Sequence, residues 1–167
     1  MPHWKITMSI RIATRAIIMQ DNRLLLVNAF PIGDGEKPGS PHWRQTPCNS
    51  VLWCAPGGGA EAHSSLPDNL AREVHEETGL TIRVGAPCLI NEFHNPDTGF
   101  HQVEVFFRCT VIKGGLSADW QDPEQIVQSR RFFTRDQMEN IRFKPDSLPD
   151  VAFNRGMGYD RLETLVK

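Results

Sequence analysis

The sequence predicts an α/β chain in which a central mixed sheet is sandwiched between helices. Three observations predict it. Apolar segments of strand length surround a few helical ones, the clearest of which runs from Ser65 to Gly79. A run of glycines, Gly57-Gly58-Gly59, joins a strand to that helix. The segment from Phe100 to Ile112 alternates with the two-residue period of a half-buried strand. With 167 residues the chain is near typical domain size, so one domain over 1–167 is expected, with a long loop insertion at about 31–50.

The elements follow in order. Arg11 to Met19 is rich in Ile and Ala and reads as a strand; Asp21-Asn22 is a turn, and Arg23 to Val27 returns as a second strand. Residues 31–50 are dense in Gly, Pro and polar groups, which makes them a loop. Val51 to Ala55 is a strand feeding the glycines. Ser65 and Asp68 form a capping-box pattern, Pro67 sits in the first turn where its missing N–H costs little, and Gly79 suits the left-handed position after a helix. Leu66, Leu70 and Val74 recur every four residues and make a buried stripe. Thr81–Val84 and Pro87–Phe93 read as two short strands, and Pro96-Asp97-Thr98-Gly99 as a turn. Arg131–Phe133 reads as a short strand, Thr134 caps a helix through Asn140, and the tail from Ser147 is partly helical.

Composition narrows the function classes. Hydrophobic residues are 40% and charged residues 23%, as in ordinary globular proteins. A net charge of −2 provides no broad basic surface, so neither nucleic acid nor a membrane is expected as a partner. No apolar run reaches the length of a membrane span, and the N-terminus lacks the layout of a signal peptide. Cys48, Cys54, Cys88 and Cys109 show no metal-finger spacing and read as free thiols in a reducing cytoplasm.

The chemistry is carried by Arg72, Glu73, Glu76 and Glu77. An α-helix advances about 100° per residue, so the three acids fall within an arc of roughly 100°. Like charges at that spacing destabilise a helix by about 0.2–0.5 kcal/mol per pair, and acids near a helix C-terminus oppose its dipole. An isolated E-x-x-E-E reads as a solvated acidic face. Behind a glycine run it reads as a set of oxygen donors for a hard cation such as Mg²⁺ or Mn²⁺.

From Gly58 onward the chain resembles the Nudix hydrolases, whose signature is Gly, five residues, Glu, seven residues, then Arg-Glu-aliphatic-x-Glu-Glu-x-Gly-aliphatic. Arg72, Glu73, Val74, Glu76, Glu77, Gly79 and Leu80 stand in register. Trp53, ahead of Pro-Gly-Gly, also looks like a family feature. Ser64 replaces the first signature glutamate, and His63 stands where glycine is common. The resemblance implies a Nudix-like α/β/α sandwich and metal-dependent hydrolysis of a nucleoside diphosphate linked to another group. It implies Glu73, Glu76, Glu77 and the Gly58 carbonyl as metal ligands, and Arg72 as the partner of the missing acid; Glu61 is its candidate substitute. The general base is expected on the signature helix or among Glu92, Glu104 and Glu124.

For the substrate, the expectation is a nucleotide sugar or ADP-ribose. Pro96, 16 residues after Leu80, resembles the proline of family members that act on ADP-ribose and points to the latter. Trp43, Arg44, His94, Phe100 and His101 are the candidate contacts. The alternatives are hydrolysis of a nucleoside triphosphate, oxidised ones included, and a non-catalytic nucleotide sensor. A homodimer is possible by family analogy.

Overall fold

The computed structural model describes residues 9–30 and 51–164. The expected loop 31–50, with Trp43, Arg44 and Cys48, lies outside the described residues. Strand β1 (Arg11–Gln20) turns into β2 (Arg23–Asn28) through Asp21 and Asn22, both at positive φ (49° and 55°), the conformation that two-residue hairpins require and that Asp and Asn tolerate. Then come β3 (Leu52–Cys54), β4 (Gly57–Gly59) and helix α1 (Leu66–Thr78). Long strands β5 (Thr81–Asn95) and β6 (Phe100–Lys113) follow, then β7 (Arg130–Phe133), α2 (Arg135–Met138), β8 (Arg142–Phe143), α3 (Leu148–Phe153), β9 (Gly158–Tyr159) and β10 (Glu163–Thr164).

The sheet runs β10-β5-β6-β1-β2-β3-β8, with β4 on β1, β7 on β2 and β9 on β5. It is mixed: β1 lies parallel to β6 and antiparallel to β2 and β4. The strand alternation buries two apolar clusters. Ala16, Ile18, Leu25 and Phe107 face α1 and meet its Leu70 and Val74. Ile17, Leu24, Leu26 and Phe106 face the other way, toward Met138 of α2 and Leu148 and Val151 of α3. A fully buried leucine or valine contributes about 1.5–3 kcal/mol, and cutting Leu70 to alanine costs about 2–5 kcal/mol. This is the α/β sandwich expected. Among the described residues no helix is long and apolar enough to cross a membrane.

Four details differ from the sequence reading. The glycines form an extended strand, although glycine has poor strand propensity; β1 and β2 pair only near their hairpin at Met19–Leu24 and Gln20–Arg23, and β4 pairs with β1 from Ala13 to Arg15. The two strands expected at 81–93 are one, because register shifts between Val84 and Leu89 absorb the irregularity at Gly85 and Pro87. The helix begun at Thr134 has the expected capping box but ends at Met138, with Glu139 and Asn140 in a hydrogen-bonded turn. The tail adds two short strands after α3.

Trp53 is a core residue, stacked edge-on against Phe133 at 5.0 Å. Cys54, Cys88 and Cys109 are free thiols.

Candidate active site

Helix α1 is fixed at both ends. Ser65 Oγ accepts a hydrogen bond from the Asp68 amide at 3.1 Å, and the Gly79 amide, at φ 76°, donates to the His75 carbonyl at 2.8 Å. Beyond Gly79, Trp120 Nε1 donates to the Glu76 carbonyl at 2.8 Å and Arg130 Nε donates to the Glu77 carbonyl, so two end carbonyls of the helix are satisfied by side chains. Between those anchors, Asp122 accepts from the amides of Glu124, Ile126 and Val127 at 2.9–3.1 Å and shapes the loop that carries Glu124.

Arg72 is the hub of the acidic turn. Its Nη1 donates to both Glu76 oxygens at 3.0–3.1 Å, and its Nη2 to Glu73 Oε1 at 2.9 Å and Asn69 Oδ1 at 3.1 Å. Glu61 Oε1 lies 3.4 Å from Nη2. Ser64 turns away, its hydroxyl donating to the Ser65 carbonyl, so Glu61 occupies the place beside Arg72 for which it was the candidate. Asn69, which the motif does not mention, ties loop to helix. It donates to the Gly59 carbonyl at 3.1 Å and to Thr14 Oγ1 at 3.4 Å, and it accepts from the Glu61 amide at 3.2 Å.

Glu73 and Glu77 face the glycine strand. A Cβ on Gly58 would fall 2.5 Å from Glu73 Oε2, so any side chain there would displace the carboxylate from its present place against the backbone. The Gly57 amide donates to Glu77 Oε2 at 2.9 Å. Burial pushes the Glu77 carboxyl from its ordinary value of 4.5 up to about 8; Arg15 and the Gly57 amide oppose the rise, and Glu73 and Asp122 add to it. Glu73 is raised too, first by burial and then by Glu76 and Glu124, against the pull of Arg72.

The three acids therefore divide. Glu76 is held by Arg72, Glu77 by the Gly57 amide, and Glu73 stands between; among the described residues no three acidic, histidine or cysteine side chains form a ready-made metal cluster. The donor set nevertheless fits a hard dication. Burial raises both Glu73 and Glu77, and the Gly58 backbone lies directly against the Glu73 carboxylate.

A cleft of about 430 Å³ opens next to this corner on the other face of β1. Its floor is the continuation of a core face. Beyond Ile17, Phe106 and Leu89 the side chains turn polar, to Arg15 and Arg11 on β1, Glu104 and Gln102 on β6, and Asn91 on β5. Arg15 Nε binds Glu104 Oε1 at 2.8 Å, and its Nη1 donates to the Ala55 and Gly57 carbonyls at 3.2–3.3 Å. Gln102 Nε2 donates to Glu104 at 2.9 Å and Gln102 Oε1 accepts from Arg11. Burial holds the Cys54 thiol at about 12 despite Arg15, so it stays neutral and is no nucleophile. At the far end Phe93 and Phe100 stand with ring centroids 5.9 Å apart. Lys144, bonded to Asp146 and Glu163, lines one wall.

The structure separates the remaining candidates. Phe100 lines the cleft. His94 and His101 alternate onto the opposite sheet face, ring centroids 6.1 Å apart. Glu92 is bound to the Tyr159 hydroxyl at 2.6 Å. Glu104 is locked to Arg15 and Gln102, while Glu124 is exposed and its charge reaches Glu73. Arg11, Arg15, Asn91 and Lys144 were not picked out by the sequence reading; the alternation of β1 and β5 carries a trace of the first three, and Lys144 follows β8.

Residues 10–151 match the family model of the NUDIX domain. Over 81 residues the chain is 35% identical to diphosphoinositol polyphosphate phosphohydrolase 2 of Rattus norvegicus, covering 48% of this chain and 42% of the relative. It is 33% identical over the same length to diphosphoinositol polyphosphate phosphohydrolase 3-alpha of Mus musculus, covering 48% and 46%. The chain thus spans less than half the length of these curated relatives. Similar solved structures include a NUDIX hydrolase from Nitrosomonas europaea, with a TM-score of 0.64 at 19% identity over 90% of this chain and 93% of that one. An ADP-ribose pyrophosphatase from Streptococcus suis 89-1591 gives 0.61 at 20% identity, over 93% and 100%, and a UDP-X diphosphatase 0.62 at 20%, over 93% and 70%. At such identities these likenesses speak for the fold. The family model adds the sequence, matching most of the chain including the glycine strand and the acidic helix: this chain belongs to the Nudix family.

Proposed function

We propose that the protein is a divalent-metal-dependent pyrophosphohydrolase that cleaves the diphosphate linkage of a nucleoside diphosphate joined to another group, such as a nucleotide sugar or ADP-ribose. The observation that carries this reading is the continuity of the site. Crowded carboxylates at Glu73 and Glu77 lie beside the glycine strand, Arg11 and Arg15 form the lip between that strand and the cleft, and the Phe93–Phe100 pair closes the far end. A base has a π-face for those rings, and a diphosphate has oxygens for the lip.

In this reading Glu73, Glu76, Glu77 and the Gly58 carbonyl hold Mg²⁺ or Mn²⁺. When bound, such an ion neutralises phosphate oxygens and acidifies water for in-line attack on phosphorus. Arg72 keeps Glu73 and Glu76 in place, and Asn69 and Glu61 keep loop and helix together. Arg11 orients the diphosphate. Glu124, on its Asp122-shaped loop, takes the proton of the attacking water.

The described lining argues against a diphosphoinositol polyphosphate, the compound in the names of the two relatives. Its three cations, Arg11, Arg15 and Lys144, are offset by Glu104 and Glu163, and its aromatic pair has no use for a sugar-like ring crowded with phosphates. A panel of ADP-ribose, UDP-sugars, nucleoside triphosphates and diphosphoinositol polyphosphates, run with Mg²⁺ and Mn²⁺, tests the proposal. Release of nucleoside monophosphate from the first two classes is expected. Turnover confined to the inositol compounds, or none on any compound, would end it.

A further inference from the structure

Asn28, the last residue of β2, uses every hydrogen-bonding position of its side chain. It is 1% exposed and stands outside the lining of the cleft. Its Nδ2 donates to the carbonyls of Phe30 and Ile126, both at 2.7 Å, and its Oδ1 accepts from the amides of Gln128 and Ser129 at 2.8 and 2.9 Å. A side-chain amide has two hydrogens and a carbonyl oxygen with two lone pairs, so nothing is left over. Ile126, Gln128 and Ser129 all belong to the loop between β6 and β7, the loop that carries Glu124. The four residues before Asn28, Leu24 to Val27, are apolar core. A polar side chain buried after such a run costs stability unless it is bonded, and here its bonds go mainly to that loop.

The loop is held from the other side as well. Trp120 is bonded to the Glu76 carbonyl, and Arg130 joins the Glu77 carbonyl to the Val127 carbonyl, the latter at 3.0 Å. Inside the loop the Asp122 carbonyl accepts from the Gln125 amide at 2.9 Å, with Gln125 at φ 57°. Glu124 thus lies between the Asp122 turn and the Asn28 clamp, its own side chain exposed and its charge felt at Glu73. The cleft floor is independent of this clamp. It stands on β1, β5 and β6, and β2 pairs with β1 only at the hairpin end, at Met19–Leu24 and Gln20–Arg23.

We propose that Asn28 is a positioning residue for the hydrolytic step: by binding Ile126, Gln128 and Ser129 it sets Glu124 beside the acidic turn of α1, where the proton of the attacking water is taken. This rests on the hydrolase reading above, with Glu124 as the base. Asn28 itself touches neither ligand nor reacting atoms and acts through the loop. A base must lie within hydrogen-bond reach of the proton it takes, so a loop released by about 1 Å lowers the rate. Binding in the cleft, whose floor stands on other strands, changes little.

Two measurements test this: kinetics on ADP-ribose or a UDP-sugar with Mg²⁺, and amide hydrogen exchange of the metal-free chain. Asn28→Ala removes all four side-chain bonds; Asn28→Asp, the second variant, keeps the shape and the two accepted bonds and loses the donated ones. In Asn28→Ala, kcat falls about tenfold or more while KM moves less than about threefold. In a Glu124→Gln background the same change costs less than about twofold, because both substitutions act through one group. Amides of residues 122–129 exchange about tenfold faster or more, and those of α1 keep the wild-type rate. Asn28→Asp shows the same pattern to a smaller extent. Normal kcat in the variants, losses that multiply in the double variant, or a loop whose exchange is unchanged overturns the assignment. So does exchange quickened equally in α1, or failure of both variants to fold, since either makes Asn28 a determinant of the whole fold. The two readings fail separately. A loop released by Asn28→Ala in a chain that turns over no nucleotide defeats the hydrolase and leaves Asn28 its hold on the loop; turnover that ignores Asn28 does the opposite.

Discussion

The two ends of the site are built in different ways. The acidic corner comes mainly from one stretch of chain: Gly57 to Gly79 supplies the strand, the loop, the helix and the carboxylates of Glu73, Glu76 and Glu77. The cleft beside it is assembled from distant strands: Arg15 and Glu104 are 89 residues apart, and only the Phe93–Phe100 pair at its tip comes from a single hairpin. The local end has the hallmarks of strained charge, with Glu77 raised to about 8 and Glu73 raised beside it. The assembled end is quieter, an offset ion-pair network and two rings. An acidic corner can thus rest on a short local cassette while the cleft next to it is built from whatever the sheet presents.

Four experiments sharpen that contrast, from the largest effect to the smallest. Glu77→Gln keeps the fold and the Gly57 contact but removes the ionisable group; turnover should fall about 10³-fold while the metal-free variant melts no lower than the wild type at pH 8, whereas near-normal rates would detach the cassette from the chemistry. Arg15→Met leaves Glu104, 5% exposed, without its cation. The expected loss is about 3 kcal/mol in denaturant unfolding, and a loss under 1 kcal/mol would mean that Gln102 alone satisfies the acid.

The third is pH. Glu77 titrates near 8 in the fold and near 4.5 when unfolded, so the folded state holds the extra proton between those values. The stability from this group is complete below about 4.5 and drains away as pH rises through 8, roughly 2 kcal/mol after discounting for partial exposure. Thermal melts of the metal-free protein should fall from pH 5 to 8, and Mg²⁺ or Mn²⁺ should restore them at the upper end, since binding needs the ionised acid. A flat profile would mean that Glu77 is already ionised in the fold. The last is Phe100→Ala, which removes half of the aromatic wall. Loss of about 1–2 kcal/mol of stacking raises KM for nucleotide substrates about five- to thirtyfold with little change in kcat; an unchanged KM would move the base elsewhere.

Legibility in the sequence follows the same division. Ser65, Pro67 and Gly79 announced α1 because caps and first-turn prolines act within a few residues, and the signature acids stand on one helix at fixed spacing. The partner of Arg72 was legible as a nearby substitute, Glu61, for the same reason. The glycine strand was not, since its extended state comes from pairing with Ala13–Arg15 rather than from propensity. Nor was the unity of β5: Gly85 and Pro87 are ordinary strand breakers, and only the partner strand β6 shows that a shift of register carries the chain past them. Asn91 and Arg15 are unremarkable letters until strands from distant parts of the chain meet around them. Of the later acids, spacing could not separate Glu92, Glu104 and Glu124; their partners do.

Strand β5 leaves the helix cap at Gly79 almost at once and ends at the tip of the cleft, at Asn95. It works as a ruler, with the acidic cassette at its zero mark and the Pro96–Gly99 turn at the far graduation. Lengthening or shortening that hairpin tip should recalibrate which ligands fit while the zero mark stays put, so turn exchange is the natural route to new specificities on this scaffold.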